Sequence, residues 1–411
     1  MAGYGAKNVG SVQKGRGMKV ALDARWIFNE ISGIGAHTRD LIRHIAREDR
    51  RTTYILIFSD RALAERTWHE AELSDKPNFR PHIVPWGIFS PRSQLLMPSW
   101  LARQGITVYH STNYMIPLAS FPRGKMGKVR CVATIHDLIP LLFPAATPRA
   151  LKTRFFPLYK RLMLEIGTRA DRIIAVSKAS RDDIVNHLNI PASRYGNVRV
   201  IYNGVSSLYC PAQNGTKTGD SSRPRVLLYV GRSDPYKNLT VLIEALAVLQ
   251  GTLPFPVHLN IVGPPDPRYP EAGKRAESLG IKPSVNWLGY QTSDALVRAY
   301  QNADAVILPS RYEGFGFPVV EGMACGTPVI CSDIPVLREI GGEAAYFTTL
   351  DSPPALAEGI RFVLTDAKQR EHMIQRGFDQ SRQFTWTETA RQTIALYREL
   401  AETSDTTAES G

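Results

Sequence analysis

Four cysteines in 411 residues (Cys131, Cys210, Cys325 and Cys331) show neither metal-ligand spacing nor a disulfide pattern. They read as reduced thiols of a cytoplasmic protein. No two aspartates lie two positions apart, so a D-x-D pair able to hold a metal-bound diphosphate is missing. A Gly-x4-Gly-Lys-Ser/Thr loop, a Cys/His cluster and a Gly-x-Ser-x-Gly elbow are missing too, which argues against a P-loop ATPase, a zinc site and a serine hydrolase. Neither a resident metal nor another cofactor is expected. No run approaches the roughly 18 apolar residues of a spanning helix. Met1 to Gly17 has no apolar core and reads as a disordered leader, neither signal peptide nor anchor.

Acidic residues are scarce in one half. Residues 1–205 hold 31 lysines and arginines against 15 acids, whereas the remainder holds 19 against 23, giving a net +12. A basic N-terminal half suggests an anionic partner. Nucleic acid fits poorly, because backbone readers concentrate cations around base-stacking or groove-entering elements and no such motif occurs.

What is present is a chain of ordinary globular composition, long enough for two domains. Short β-branched runs alternate with amphipathic stretches, which predicts parallel α/β sheets. The first series of strands is Met18–Asp23, Tyr54–Phe58, Ile106–His110, Val129–Ile135, Arg172–Val176 and Val198–Tyr202. The second is Val226–Val230, His258–Val262, Val285–Leu288, Ala305–Leu308 and Val329–Cys331. Helices are expected near Asn238–Gln250, Ser293–Asn302 and Thr387–Ala401. A Ser-, Gly- and Lys-rich stretch from Ser206 to Arg225 has linker composition. The expected division is a leader at 1–17, an N-terminal Rossmann-like domain at 18–205, a linker at 206–225 and a C-terminal Rossmann-like domain at 226–384. A terminal helix at 385–403 and a disordered tail at 404–411 complete it. Two such domains leave a cleft between the carboxyl ends of their sheets.

Chemistry concentrates in loops at that cleft. The stretch Glu313-Gly-Phe-Gly-Phe-Pro-Val-Val-Glu321 sets two carboxylates eight apart across a loop-to-helix junction. Gly314 and Gly316 allow close backbone approach, Pro318 suits a first helical turn, and Gly326 with Pro328 ends the helix. A helix N-terminus between carboxylates suits a ligand bearing both phosphate and hydroxyl groups, such as a sugar nucleotide. Gly231-Arg232-Ser-Asp-Pro-Tyr-Lys237 places two cations where they can bracket a diphosphate. Gly33 and Gly35 lie in a loop before a helix expected from Ala36, without completing Gly-x-Gly-x-x-Gly. His136 can point into the cleft, with Asp137 fixing its tautomer, or serve as a satisfied interior histidine. His110 and Tyr114 end another strand, where they can line the acceptor side of the cleft or serve in loop packing. Ser177 reads as a helix N-cap, Asn203-Gly204 as a turn and Ser310 as a small donor beside the nucleotide. The pattern Leu151 to Leu164 mixes basic and large apolar residues; it suits an anionic membrane surface or an ordinary packed helix with its basic side chains snorkelling outwards.

The Glu313–Ile330 block resembles the E-x7-E signature of the retaining family 4 glycosyltransferases, which have the two-domain GT-B fold. Gly231–Lys237 is similar to that family's diphosphate clamp, and Gly33–Gly35, His136–Asp137 and Phe384-Thr-Trp386 follow in family order. The resemblance runs from about Met18 to Leu400. It implies a C-terminal helix crossing back to the N-terminal domain, and a retaining transfer of a hexose from a nucleotide sugar to a saccharide or lipid-linked acceptor. Arg232 and Lys237 would stabilise the leaving diphosphate. Glu313 and the N–H groups of Gly314, Phe315, Gly316 and Phe317 would hold sugar hydroxyls, and Glu321 the ribose. His136 would position the sugar, Gly33 and Gly35 would face the donor, and Ser310 would stand beside it. His110, Tyr114 and Asp137 are the acceptor-side candidates. Asp23-Ala-Arg25 and His136-Asp137-Leu-Ile-Pro140 look most like bacterial mannosyltransferases of surface polysaccharide, so GDP-mannose is the expected donor. UDP-glucose or dTDP-rhamnose, a sugar-nucleotide epimerase and a NAD-dependent enzyme are the alternatives. A lipid-linked acceptor at the inner face of the cytoplasmic membrane would account for the basic half.

Overall fold

The computed structural model describes residues 17–29, 33–144, 156–212, 223–264 and 266–408. The expected leader, the middle of the linker and the first residues of the Leu151–Leu164 pattern lie outside these. Every apolar run named above forms a strand, because β-branched and aliphatic residues suit sheets covered on both faces. The N-terminal sheet contains β1 (Lys19–Asp23), β2 (Thr53–Phe58), β3 (Phe79–Ile83), β4 (Val108–Ser111), β5 (Arg130–Ile135), β6 (Arg172–Ala175) and β7 (Val198–Val200). Its order is β3-β2-β1-β4-β5-β6-β7, and all its pairs are parallel. The C-terminal sheet contains β8 (Arg225–Val230), β9 (Val257–Val262), β10 (Val285–Gly289), β11 (Ala305–Leu308), β12 (Val329–Ser332) and β13 (Ala345–Thr348), in the order β10-β9-β8-β11-β12-β13.

Sequence reading missed β3 and β13, and both are sheet edges. Phe79-Arg-Pro-His-Ile83 buries only Phe79 fully and carries Pro81. Polar, proline-bearing edges resist pairing with other chains, and they also lack the apolar run that identifies a strand.

One face of the N-terminal sheet packs Met97 and Leu101 of helix Pro91–Arg103 and Met163 and Ile166 of helix Phe156–Arg169. The other face packs Leu41, Ile42 and Ile45 of helix Gly33–Glu48 together with Trp386, Ala390, Ile394, Tyr397 and Leu400 of helix Trp386–Ala408. The C-terminal helix therefore crosses back to the N-terminal domain. It runs on to Ala408, into the segment expected as a disordered tail. Asn203-Gly204 is not a turn. Gly204 lies where the two chain crossings between domains meet, and a Cβ there would stand 2.1 Å from the Trp386 nitrogen. Asp23-Ala-Arg25 stays inside the fold. Arg25 bonds both Asp23 oxygens at 2.8 and 2.6 Å and Ser93 Oγ at 2.7 Å, tying helix Pro91–Arg103 to the end of β1.

Candidate functional site

In an open parallel sheet, the crevice forms where strand order reverses, beyond the carboxyl ends of the two flanking strands. Those strands are β1 and β4 in one sheet and β8 and β11 in the other. Each main motif follows one of these four or the neighbouring β5.

On the C-terminal side, the loop after β8 delivers Lys237 and the loop after β11 delivers Glu313. Lys237 Nζ bonds the two Glu313 carboxylate oxygens at 2.7 and 2.9 Å, and Ser310 Oγ donates to Oε1 at 2.7 Å. Glu313 and Ser310 are buried. Arg232 is more open, with Nε 2.8 Å from Asp234 and NH2 3.6 Å from Asp266. Both cations of the expected clamp therefore already face carboxylates. Asp266, from the loop after β9, went unnoticed in the sequence although it too follows a strand.

Gly316 adopts φ +95°, open chiefly to glycine, and lets the chain turn into helix Phe317–Ala324. The first N–H groups of that helix have no partner within it. Glu321 sits one turn in, where the Tyr300 hydroxyl donates to it at 2.6 Å and Tyr209 donates as well. Burial pushes the Glu321 carboxyl up to about 6 against these two donors, and Asp40 of helix Gly33–Glu48 adds to the rise.

On the N-terminal side, Gly33 and Gly35 lie inside the helix, which starts at Gly33 rather than Ala36. They form its first turn and present its positive end. His136 Nε2 lies 3.0 Å from the Thr112 carbonyl, so the ring carries its proton there. Asp137 does not fix this tautomer; its carboxylate accepts from Ile139 N at 3.1 Å. The neighbour that does matter is His37, which sequence reading passed over. Its ring stands edge-on to His136 with centroids 4.6 Å apart, and its Nδ1 lies 2.7 Å from Asn203 Oδ1. Burial, reinforced by His136, holds His37 well below the usual histidine range. The helical pattern could have placed His37 on the buried face, but not against a residue 99 positions away.

Two acceptor-side candidates are interior residues. His110 is fully buried between Tyr397 OH at 2.5 Å and Thr134 Oγ1 at 2.9 Å, and burial pushes it down to about 3. Tyr114 is enclosed by Trp26, Phe89 and Tyr159. Only Asp137 of the three is partly open.

The two sides meet at Gly314. A Cβ there would stand 1.8 Å from the His136 carbonyl oxygen, so only glycine lets the signature loop rest on the His136 backbone. The Gly314 carbonyl accepts from Ser177 Oγ at 2.8 Å and Ser180 Oγ at 2.9 Å. Ser177 is also the expected N-cap, accepting from Ser180 N at 3.0 Å. Glu339 caps the same helix from across the interface, at 2.7 Å from Lys178 N. Glu313 and His136 are thereby brought to one place from opposite domains.

Among the described residues no group of three or more His, Cys, Asp or Glu side chains could hold a metal ion, and no helix is long and apolar enough to cross a membrane. Family models match along most of the chain: Glycosyltransferase Family 4 over residues 31–207 and Glycosyl transferases group 1 over residues 214–380. The chain is 26% identical to O-antigen chain mannosyltransferase B of Escherichia coli over 93% of its own length and all of that protein. In structure it resembles sucrose-phosphate synthase from Thermosynechococcus elongatus (TM-score 0.72, 20% identity, 93% and 99% of the two chains). Anabaena HepE in complex with UDP and glucose is similar as well (TM-score 0.70, 19% identity, 93% and 100%). The chain belongs to the family 4, group 1 glycosyltransferases of GT-B fold.

Proposed function

We propose that this enzyme transfers mannose from GDP-mannose, with retention, to a saccharide or lipid-linked saccharide in surface polysaccharide synthesis. The observation that carries the reading is the Lys237–Glu313–Ser310 cluster resting against His136 through Gly314. The mannosyl assignment follows the E. coli relative, whose name states that activity and whose whole length is covered.

The C–O bond to the diphosphate breaks through an oxocarbenium-like transition state. The acceptor oxygen forms the new bond on the same face and its proton passes to the departing diphosphate. Arg232, Lys237 and the helix N-termini at Gly33 and Phe317 neutralise that diphosphate without a resident metal. Lys237 exchanges Glu313 for the diphosphate as the donor enters, which frees the Glu313 oxygens for sugar hydroxyls. Glu321 takes the ribose and His136 positions the sugar. Asp137 remains the acceptor-side residue. Work at the cytoplasmic face of a membrane fits a lipid-linked acceptor.

A thermal-shift panel of GDP-, UDP-, dTDP- and ADP-sugars tests the donor, since selective binding raises the melting temperature. The GDP-sugar should give the largest shift, and the product anomer, read by NMR, should match the donor's. A selective shift with UDP-glucose would replace mannose by glucose; turnover of donor without acceptor would mark an epimerase.

A further inference from the structure

The basic excess of the N-terminal half is concentrated in residues 76–170, which carry fourteen lysines and arginines and two acids, Asp137 and Glu165. Glu165 is taken up by Arg123 and Arg169. Residues 33–75 carry seven bases and eight acids.

In the basic segment, helix Pro91–Arg103 buries Ser93, Met97 and Leu101 and turns Arg92, Leu95, Leu96 and Arg103 outward. Leu95 is 75% exposed, Leu96 46%, and Phe89, just ahead of the helix, 59%. Helix Phe156–Arg169 continues the face with Leu158, 58% exposed, and with Lys160 and Arg161. The two helices are joined rather than merely near. Gln94 bonds the Ile116 carbonyl and Leu118 N, Arg169 bonds the Leu118 and Phe121 carbonyls, and Phe89, Tyr114 and Tyr159 form one run of ring contacts.

Grouped apolar side chains this exposed mark an interface. The exposed leucines offer no stacking surface to bases, which disfavours nucleic acid. A second copy would set cations against cations. An anionic bilayer satisfies both features, with aliphatic side chains entering the acyl boundary and arginines and lysines meeting headgroups. We propose that this face docks the enzyme on an anionic lipid surface. Phe28 and Phe89 both pack on Trp26, just beyond the end of β1, so the docked face adjoins the mouth of the N-terminal crevice. This deepens the lipid-linked acceptor reading, but its test uses neither donor nor acceptor.

The test floats the full-length chain with vesicles of phosphatidylcholine, alone or mixed with phosphatidylglycerol, at low and high salt. Binding should require the anionic lipid and weaken with salt. R92E/K160E should lower it by about fivefold for each charge reversed, and L95S/L96S by about tenfold, with unchanged melting temperatures and unchanged transfer to a soluble acceptor. Equal binding to both vesicles, no binding, or binding insensitive to both variants would overturn the proposal. So would a concentration-dependent dimer that L95S/L96S abolishes, which would make the face a contact between copies. Loss of vesicle binding with transfer intact would leave the enzymatic reading standing, and absence of transfer would leave the docking result standing.

Discussion

The two halves of the crevice are built in different chemical styles. The C-terminal half presents full charges already paired, Lys237 to Glu313 and Arg232 to Asp234. The N-terminal half presents rings and carbonyls, with His37 against His136 and His136 against Thr112. In the proposed reaction a leaving diphosphate needs fixed cations and a sugar needs directional hydrogen bonds. Gly314 must serve both halves, because the loop that carries it rests on the His136 backbone.

The sharpest way to break this contrast is to remove the cation. Lys237→Ala should lower turnover by on the order of 10²–10³, measured at saturating donor; a loss below tenfold would move the leaving-group charge elsewhere. Gly314→Ala should come next. Its methyl group must displace the His136 carbonyl, so transfer should fall about a hundredfold and the melting temperature should drop. Wild-type melting temperature with transfer intact would separate the two halves.

Glu321→Gln probes a carboxyl of the site whose burial raises its affinity for protons. Its folded value, about 6, lies above the ordinary 4.5, so the folded state holds the proton more tightly and the carboxylate loses stability as pH rises through that window. The substitution should stabilise the apo protein at pH 7 by up to about 2 kcal/mol and by little below pH 4.5, while weakening donor binding. Denaturant unfolding at the two pH values checks the sign. The smallest effect belongs to Tyr397→Phe. It leaves a buried His110 nitrogen without its partner, costing about 1–3 kcal/mol in unfolding experiments, with transfer per folded molecule unchanged. A selective fall in acceptor affinity would return His110 to the acceptor side.

The same contrast explains what could be read from the chain. The C-terminal loops were legible because their chemistry is local: Arg232 and Lys237 stand in one turn, and Glu313 and Glu321 in one loop and helix start. The N-terminal site draws on β1, β4, β5 and the domain crossing. His37, Asn203 and Thr112 gain meaning only once the sheet has set them side by side. The inward setting of His110 was hidden for the same reason, since its partner Tyr397 lies 287 positions away. Strands appeared as apolar runs, and the two overlooked ones are edges that each bury a single residue fully.

Helix Trp386–Ala408 has a further consequence, for the order in which the protein can be made. The N-terminal sheet leaves the ribosome first, yet one of its two cores waits for Trp386, Ile394, Tyr397 and Leu400. Until those residues arrive, Val20, Leu22 and Val108 lack part of their cover. The N-terminal domain therefore finishes last although it is synthesised first, and a chain cut between the domains forfeits the stability of the half it was meant to isolate.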